Sequence, residues 1–116
     1  MPHKVTIDCN VNDFDRLVVF GSTYEYKRCS VELIKSHSTK QFDNMYFTLL
    51  AYNGEAYNSY LKMTDYKISI SGSTTQISPI AFNQMYMQGT SAYGSQIDIG
   101  VDITAVYAYT DIIYVV

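Results

Sequence analysis

A chain of 116 residues and 13.2 kDa has material for one hydrophobic core, so residues 1–116 are expected to form a single domain. Hydrophobic residues make up 47% and charged residues only 16%, which is enough apolar surface to order a core and excludes wholesale disorder. A net charge of −3 and a pI near 5.1 exclude electrostatic attraction to nucleic acid or to an anionic membrane.

Apolar and polar residues alternate with period two along the chain, and no long segment keeps the i, i+3, i+4, i+7 spacing of an amphipathic helix. Val5, Ile7, Cys9 and Val11 alternate with Lys4, Thr6, Asp8 and Asn10, predicting a strand with one wet face. The run Leu17-Val18-Val19-Phe20, closed by Gly21-Ser22, predicts a short and more deeply buried strand. Cys29, Val31 and Leu33 alternate with Arg28, Ser30 and Glu32, and His37 follows in a polar loop over 36–41.

In 45–61 two β-prone runs flank Asn53-Gly54, a dipeptide suited to the positive φ angles of a type I′ hairpin turn, although 55–61 also fits a single helical turn. Tyr66, Ile68 and Ile70 predict the next strand, which Ser71-Gly72-Ser73-Thr74 turns back into Gln76-Ile77. Pro79 has no N–H to donate and is expected to end that ladder, leaving 80–87 as a separate or edge strand and 89–94 as a loop. Ile97, Ile99, Val101 and Ile103 then alternate with polar residues and glycine, and after a bend near Ala105 the extended pattern runs over 106–116. Eight to ten short strands of this kind predict an all-β fold, an antiparallel two-sheet β-sandwich of Ig-like or jelly-roll-like type.

No continuous apolar segment follows Met1-Pro2-His3-Lys4, so synthesis and retention in the cytoplasm are expected, and no run of apolar residues is long enough for a membrane-spanning helix. Cys9 and Cys29 each lie in phase with inward apolar residues and read as buried thiols rather than a bridge. Nucleophilic catalysis lacks a base, because the only histidines are His3 and His37 and no Gly-x-Ser-x-Gly elbow is present. Asp98 and Asp102 sit four residues apart on one strand, about 13 Å, which is too far to share a calcium ion. Asp8, Asp13 and Asp15 form a tighter acidic group across a turn, to which no metal is assigned. No catalytic residue, metal site or cofactor is assigned, and no enzymatic activity is expected.

The charge distribution is the most informative feature. All eight Lys and Arg residues lie at or before Lys67, balanced by eight acidic ones, whereas residues 68–116 carry only Asp98, Asp102 and Asp111. Edge strands are ordinarily guarded by Lys against pairing with another chain. This half is therefore expected either to form central strands wrapped by the charged half or to be covered by other subunits. Twelve tyrosines exceed what so small a core can bury with every hydroxyl satisfied, and Tyr is favoured at protein interfaces. Tyr86, Tyr93, Tyr107, Tyr109, Ile113, Tyr114 and Val116 are the expected interface residues.

In composition and architecture such a chain resembles small β-sandwich virion subunits of tailed phages: capsid decoration, head-fibre or baseplate proteins. That resemblance implies a structural role in a virion, with the chain itself or other virion subunits as partners, in a homo-oligomer or larger assembly. The alternatives are a carbohydrate-binding or adhesion module using exposed tyrosines, and a small phage-encoded inhibitor of a host protein.

Overall fold

A computed structural model of the chain describes residues 2–23, 27–35, 38–54, 58–88, 91–95 and 100–110, with backbone alone at 53–54, 58, 86–88 and 91–95. The strands are β1 (Val5–Ile7), β2 (Arg16–Ser22), β3 (Arg28–Ile34), β4 (Tyr46–Gly54), β5 (Asn58–Ser71), β6 (Thr74–Gln88), β7 (Ser91–Ser95) and β8 (Asp102–Tyr109), with a 3-10 turn at Val11–Asp13. The architecture is all-β, in two antiparallel sheets, one of them curled into a half-barrel. The larger sheet has the order β1-β6-β5-β4 with β7 also on β6, and the smaller has the order β3-β2-β8.

Alternation explains which side of each strand is buried. Phe47, Leu49 and Ala51 of β4, Thr64, Tyr66 and Ile68 of β5, and Thr75 and Ile77 of β6 point inward from the larger sheet, to meet Leu17, Val19 and Leu33 of the smaller one. Phe42 fills one end of the core from the loop before β4, where the Asn12 side chain accepts a hydrogen bond from its backbone N–H (2.8 Å). The next turn puts Asn44 at φ 63°, and Asp43 Oδ1 accepts from the Ile70 N–H (2.9 Å), tying this loop to β5. The fully buried Thr64 and Thr75 are both satisfied. Thr64 Oγ1 accepts from the Val101 N–H (2.8 Å), while Thr75 Oγ1 accepts from the Val11 N–H (3.2 Å) and donates to the Cys9 carbonyl (2.8 Å).

Several elements differ from their sequence expectation for identifiable reasons. The first strand stops at Ile7 instead of reaching Val11. Asn10 caps the 3-10 turn by accepting from the Asn12 N–H (2.9 Å), and Thr75 holds the turn against β6, so Val11 stays buried without extended pairing. Gly21 does not close β2 but lies inside it, where a side chain would meet Leu49 Cδ1 at 2.7 Å and Val101 Cγ1 at 2.8 Å from across the core. β4 and β5 do pair antiparallel, yet Asn53 and Gly54 are paired with Tyr60 and Ser59, so they belong to the strand and are not its turn; 55–57 lie outside the described residues. The helical alternative for 55–61 fails from Asn58 onward, where β5 begins.

Pro79 does not end a strand. β6 runs through it for 15 residues, because the pairing with β5 shifts there: Tyr66 faces Pro79 and Asp65 faces Ala81, leaving Ile80 as the extra residue of a β-bulge. A bulge disrupts the ladder locally and so tolerates a residue without an N–H. Consequently β5 and β6 are long strands rather than short ones. Most of the expected loop at 89–94 belongs to β7. The expected bend near Ala105 is real and is also a bulge, with Thr104 the extra residue between the Phe20–Ala105 and Gly21–Ile103 pairs.

The β5–β6 turn is the one expected. Ser71 pairs with Thr74, and Gly72 occupies the first central position at φ 59°, as a type II′ turn requires. A Cβ at Gly72 would touch nothing, so Gly72→Ala isolates the backbone term and is expected to cost about 1–2 kcal/mol in chemical denaturation. Gly72→Asn should cost less, since Asn is among the residues found at the primed turn positions.

Candidate interaction surface

The outward side of the larger sheet changes character along its length. At one end Tyr46, Lys67 and Ser78 lie in a row, with Lys67 Nζ 5.6 Å from the Tyr46 ring centroid, and in the next row the Thr48 hydroxyl bonds to Asp65. Farther along, the rows become Leu50–Met63–Asn83 and Tyr52–Leu61–Met85. Tyr52 is 63% exposed, Leu50 46% and Met85 46%, while Leu61 and Met63 between them are half-buried. Five neighbouring apolar side chains on the outside of a sheet form a patch rather than scattered exposure. The signal for it is in β4, where apolar residues occupy both parities: Phe47, Leu49 and Ala51 face in, Tyr46, Leu50 and Tyr52 face out. Reading one parity as core hides the other.

The outer face of the smaller sheet carries a second aromatic group. Phe20 and Tyr107 meet edge to face, with centroids 5.5 Å apart at 86°, and Arg16 lies over the Tyr109 ring at 4.1 Å. A hollow of about 420 Å³ lies beside them, lined in part by Ser22, Arg28 and Thr104. Tyr107 and Tyr109 are both exposed, as expected of residues sharing one strand face.

Groups able to do chemistry are scattered. Cys9 and Cys29 are free and half-buried, both packed on the core edge. Burial pushes the Cys29 thiol up, against hydrogen bonds from the backbone of Leu50 and Gly21, so Cys29 is no thiolate nucleophile at neutral pH. His3 bonds to Asp102 through both its ring Nδ1 (2.9 Å) and its backbone N–H (3.1 Å), which occupies Asp102 structurally. Asp98 and His37 fall outside the described residues. No group of three His, Cys, Asp or Glu side chains able to hold a metal occurs among the described residues, and no helix there is long and apolar enough to cross a membrane.

Of the expected interface residues, Tyr107 and Tyr109 lie together on the smaller sheet. Tyr86 and Tyr93 are backbone partners in β6 and β7, with side chains outside the description, and Ile113, Tyr114 and Val116 lie outside it entirely. The charge-poor half does not simply supply central strands: β6 is internal, but β7 and β8 are at edges. Exposed apolar side chains are not confined to that half either, since Phe20, Ile34, Leu50 and Tyr52 belong to the charged one. No protein-family model, curated protein or solved structure matches the chain.

Proposed function

We propose that the protein is a non-enzymatic structural subunit that works by packing against neighbouring subunits, of the kind that builds a virion as a capsid decoration, head-fibre or baseplate component. In this reading its two sheets serve as the layers of a sandwich and its outer faces as contact surfaces. The observation that carries it is the apolar row on the larger sheet, Leu50, Tyr52, Leu61, Met63 and Met85, which a solitary subunit would leave in water. The carbohydrate-binding alternative has the hollow beside Phe20 and Tyr107, but those rings meet edge to face and offer no flat platform for a sugar.

Light scattering coupled to size exclusion tests the proposal. The expected result is a mass above 13.2 kDa that grows with concentration through the micromolar range. Leu50→Asp combined with Met85→Asp should weaken association by more than about tenfold, as expected when apolar residues at the centre of a contact are lost. Both positions point outward, so the melting temperature of the dissociated chain should hardly move. A chain that stays monomeric, alone and with candidate partner subunits, would overturn the proposal.

A further inference from the structure

Among the described residues, the two sheets leave one side of the core uncovered. β1 ends the larger sheet and β8 ends the smaller, and neither has a strand on its outer edge among the described residues. Between them lies a cleft of about 340 Å³, walled by Val5, Ile7 and Cys9 on one side and by Ile103, Val106 and Ala108 on the other, with no charged side chain in its lining. These same six residues pack on the core yet remain only partly buried. The β8 edge beside them runs Asp102-Ile103-Thr104-Ala105-Val106-Tyr107-Ala108-Tyr109, without a Lys or Pro to discourage an added strand.

The chain that follows β8 has matching chemistry. Ile112-Ile113-Tyr114-Val115-Val116 is uncharged and β-prone throughout, the pattern of a strand covered on both faces. Fully extended, these five residues span about 13 Å, enough to lie along most of the edge from Ile103 to Ala108. Direct return of this segment onto its own β8 is disfavoured. The two-residue hairpin turns need φ > 0 at their first central residue, whereas among the described residues only Lys40, Asn44 and Gly72 have it and Thr110 does not. Residues 110–116 also contain no Gly or Asn, which leaves Asp111 as the one residue there suited to a left-handed position.

We infer that residues 112–116 of a second copy of this chain add as a strand to the free edge of β8 and set alternate side chains into the β1–β8 cleft. The inference rests on the assembly reading above and names the partner and the mode of contact. If the exchange is reciprocal the result is a closed two-fold dimer; if each copy donates onward, the result is an open chain of subunits. In either case the donated strand pairs its backbone with β8 and completes the cover over the core.

Cys9 lies in the cleft wall and serves as a reporter in the full-length chain. Alkylation by iodoacetamide, mapped to Cys9 by peptide mass spectrometry, is to be followed as protein concentration rises, alongside light scattering on the same samples. Labelling of Cys9 should slow about tenfold or more once over nine-tenths of the chains are associated. Ile113→Asp with Val115→Asp, and separately Ile112→Asp with Tyr114→Asp, should restore fast labelling at every concentration, with circular dichroism showing the β fold retained. Protection that the substitutions abolish but that is present in samples whose mass by light scattering is that of the monomer would mean that each tail fills its own cleft, and would overturn the inference. So would protection by a co-purifying apolar molecule detected on solvent extraction. Oligomers whose Cys9 labels as fast as the monomer's would overturn it while leaving the assembly reading standing; a monomer with freely reactive Cys9 would remove both.

Discussion

Tyr66→Ala is expected to lower the free energy of unfolding by about 3–5 kcal/mol, and Tyr66→Phe by about 1–2 kcal/mol, in urea titrations followed by circular dichroism. Tyr66 is the largest fully buried side chain described, stacks on Phe47 with centroids 5.5 Å apart at 17°, and donates its hydroxyl to the Val101 carbonyl at 2.6 Å. Alanine loses the ring and leaves a cavity; phenylalanine loses only the bond and leaves a buried carbonyl without that donor. The hydroxyl also adds a pH dependence. Burial foremost, and then the negative charge of Asp102 and the nearby Cys29, push its pKa above the ordinary tyrosine value. The folded chain thus holds this proton more tightly than the unfolded chain, whose tyrosines ionise at about pH 10. Its contribution to stability is complete below that pH and declines as the pH climbs above it. Tyr66→Phe should therefore flatten the alkaline fall in stability, and an unchanged slope would show that Tyr66 ionises as readily in the folded chain as in the unfolded one.

Gly100→Ala is the second large effect, about 2–4 kcal/mol, although it adds a single methyl group. That group would collide with Thr64 Oγ1, and it would also lie 3.4 Å from Pro2 Cγ and 3.5 Å from the Met63 carbonyl. Thr64 cannot withdraw cheaply, because its oxygen accepts the bond from the Val101 N–H that joins the start of β8 to β5. Thr64→Val tests the bond alone and should cost about 1–3 kcal/mol, the penalty of a buried N–H left without an acceptor. If steric conflict is the cause, Thr64→Ala should offset part of the Gly100→Ala loss, so that the double variant is less destabilised than the sum of the singles.

The strands with one wet face were legible because period two is a local signal. Cys29, Val31 and Leu33 do face the core side of β3, and Gly72 does turn β5 into β6. The bend near Ala105 was legible, but that it and Pro79 mark bulges was not, since Ile80 and Thr104 become extra residues only in relation to partners on another strand. Pro79 therefore read as a stop when it is accommodated beside a bulge. The same limit hid Thr64 and Thr75, which look like ordinary strand threonines until Val101 and Val11 arrive as partners from distant parts of the chain. That Tyr107 and Tyr109 share an exposed face of β8 was legible, because residues two apart on one strand point the same way. The Leu50–Met85 patch and the β1–β8 cleft each combine strands whose adjacency no local pattern encodes.

The pairing of β2 with β8 also constrains the order in which the molecule can be completed. β4, β5 and β6 follow one another and zip as successive hairpins, but the open edge of β2 waits for a strand that begins at residue 102, about 80 residues after β2 ends. At ordinary rates of about 5–20 residues per second, translation takes on the order of 4–16 s to cover that distance. Throughout that interval Leu17, Val18, Val19 and Phe20 lie on a strand with one edge unpaired, which leaves nascent β2 open to pairing with another chain.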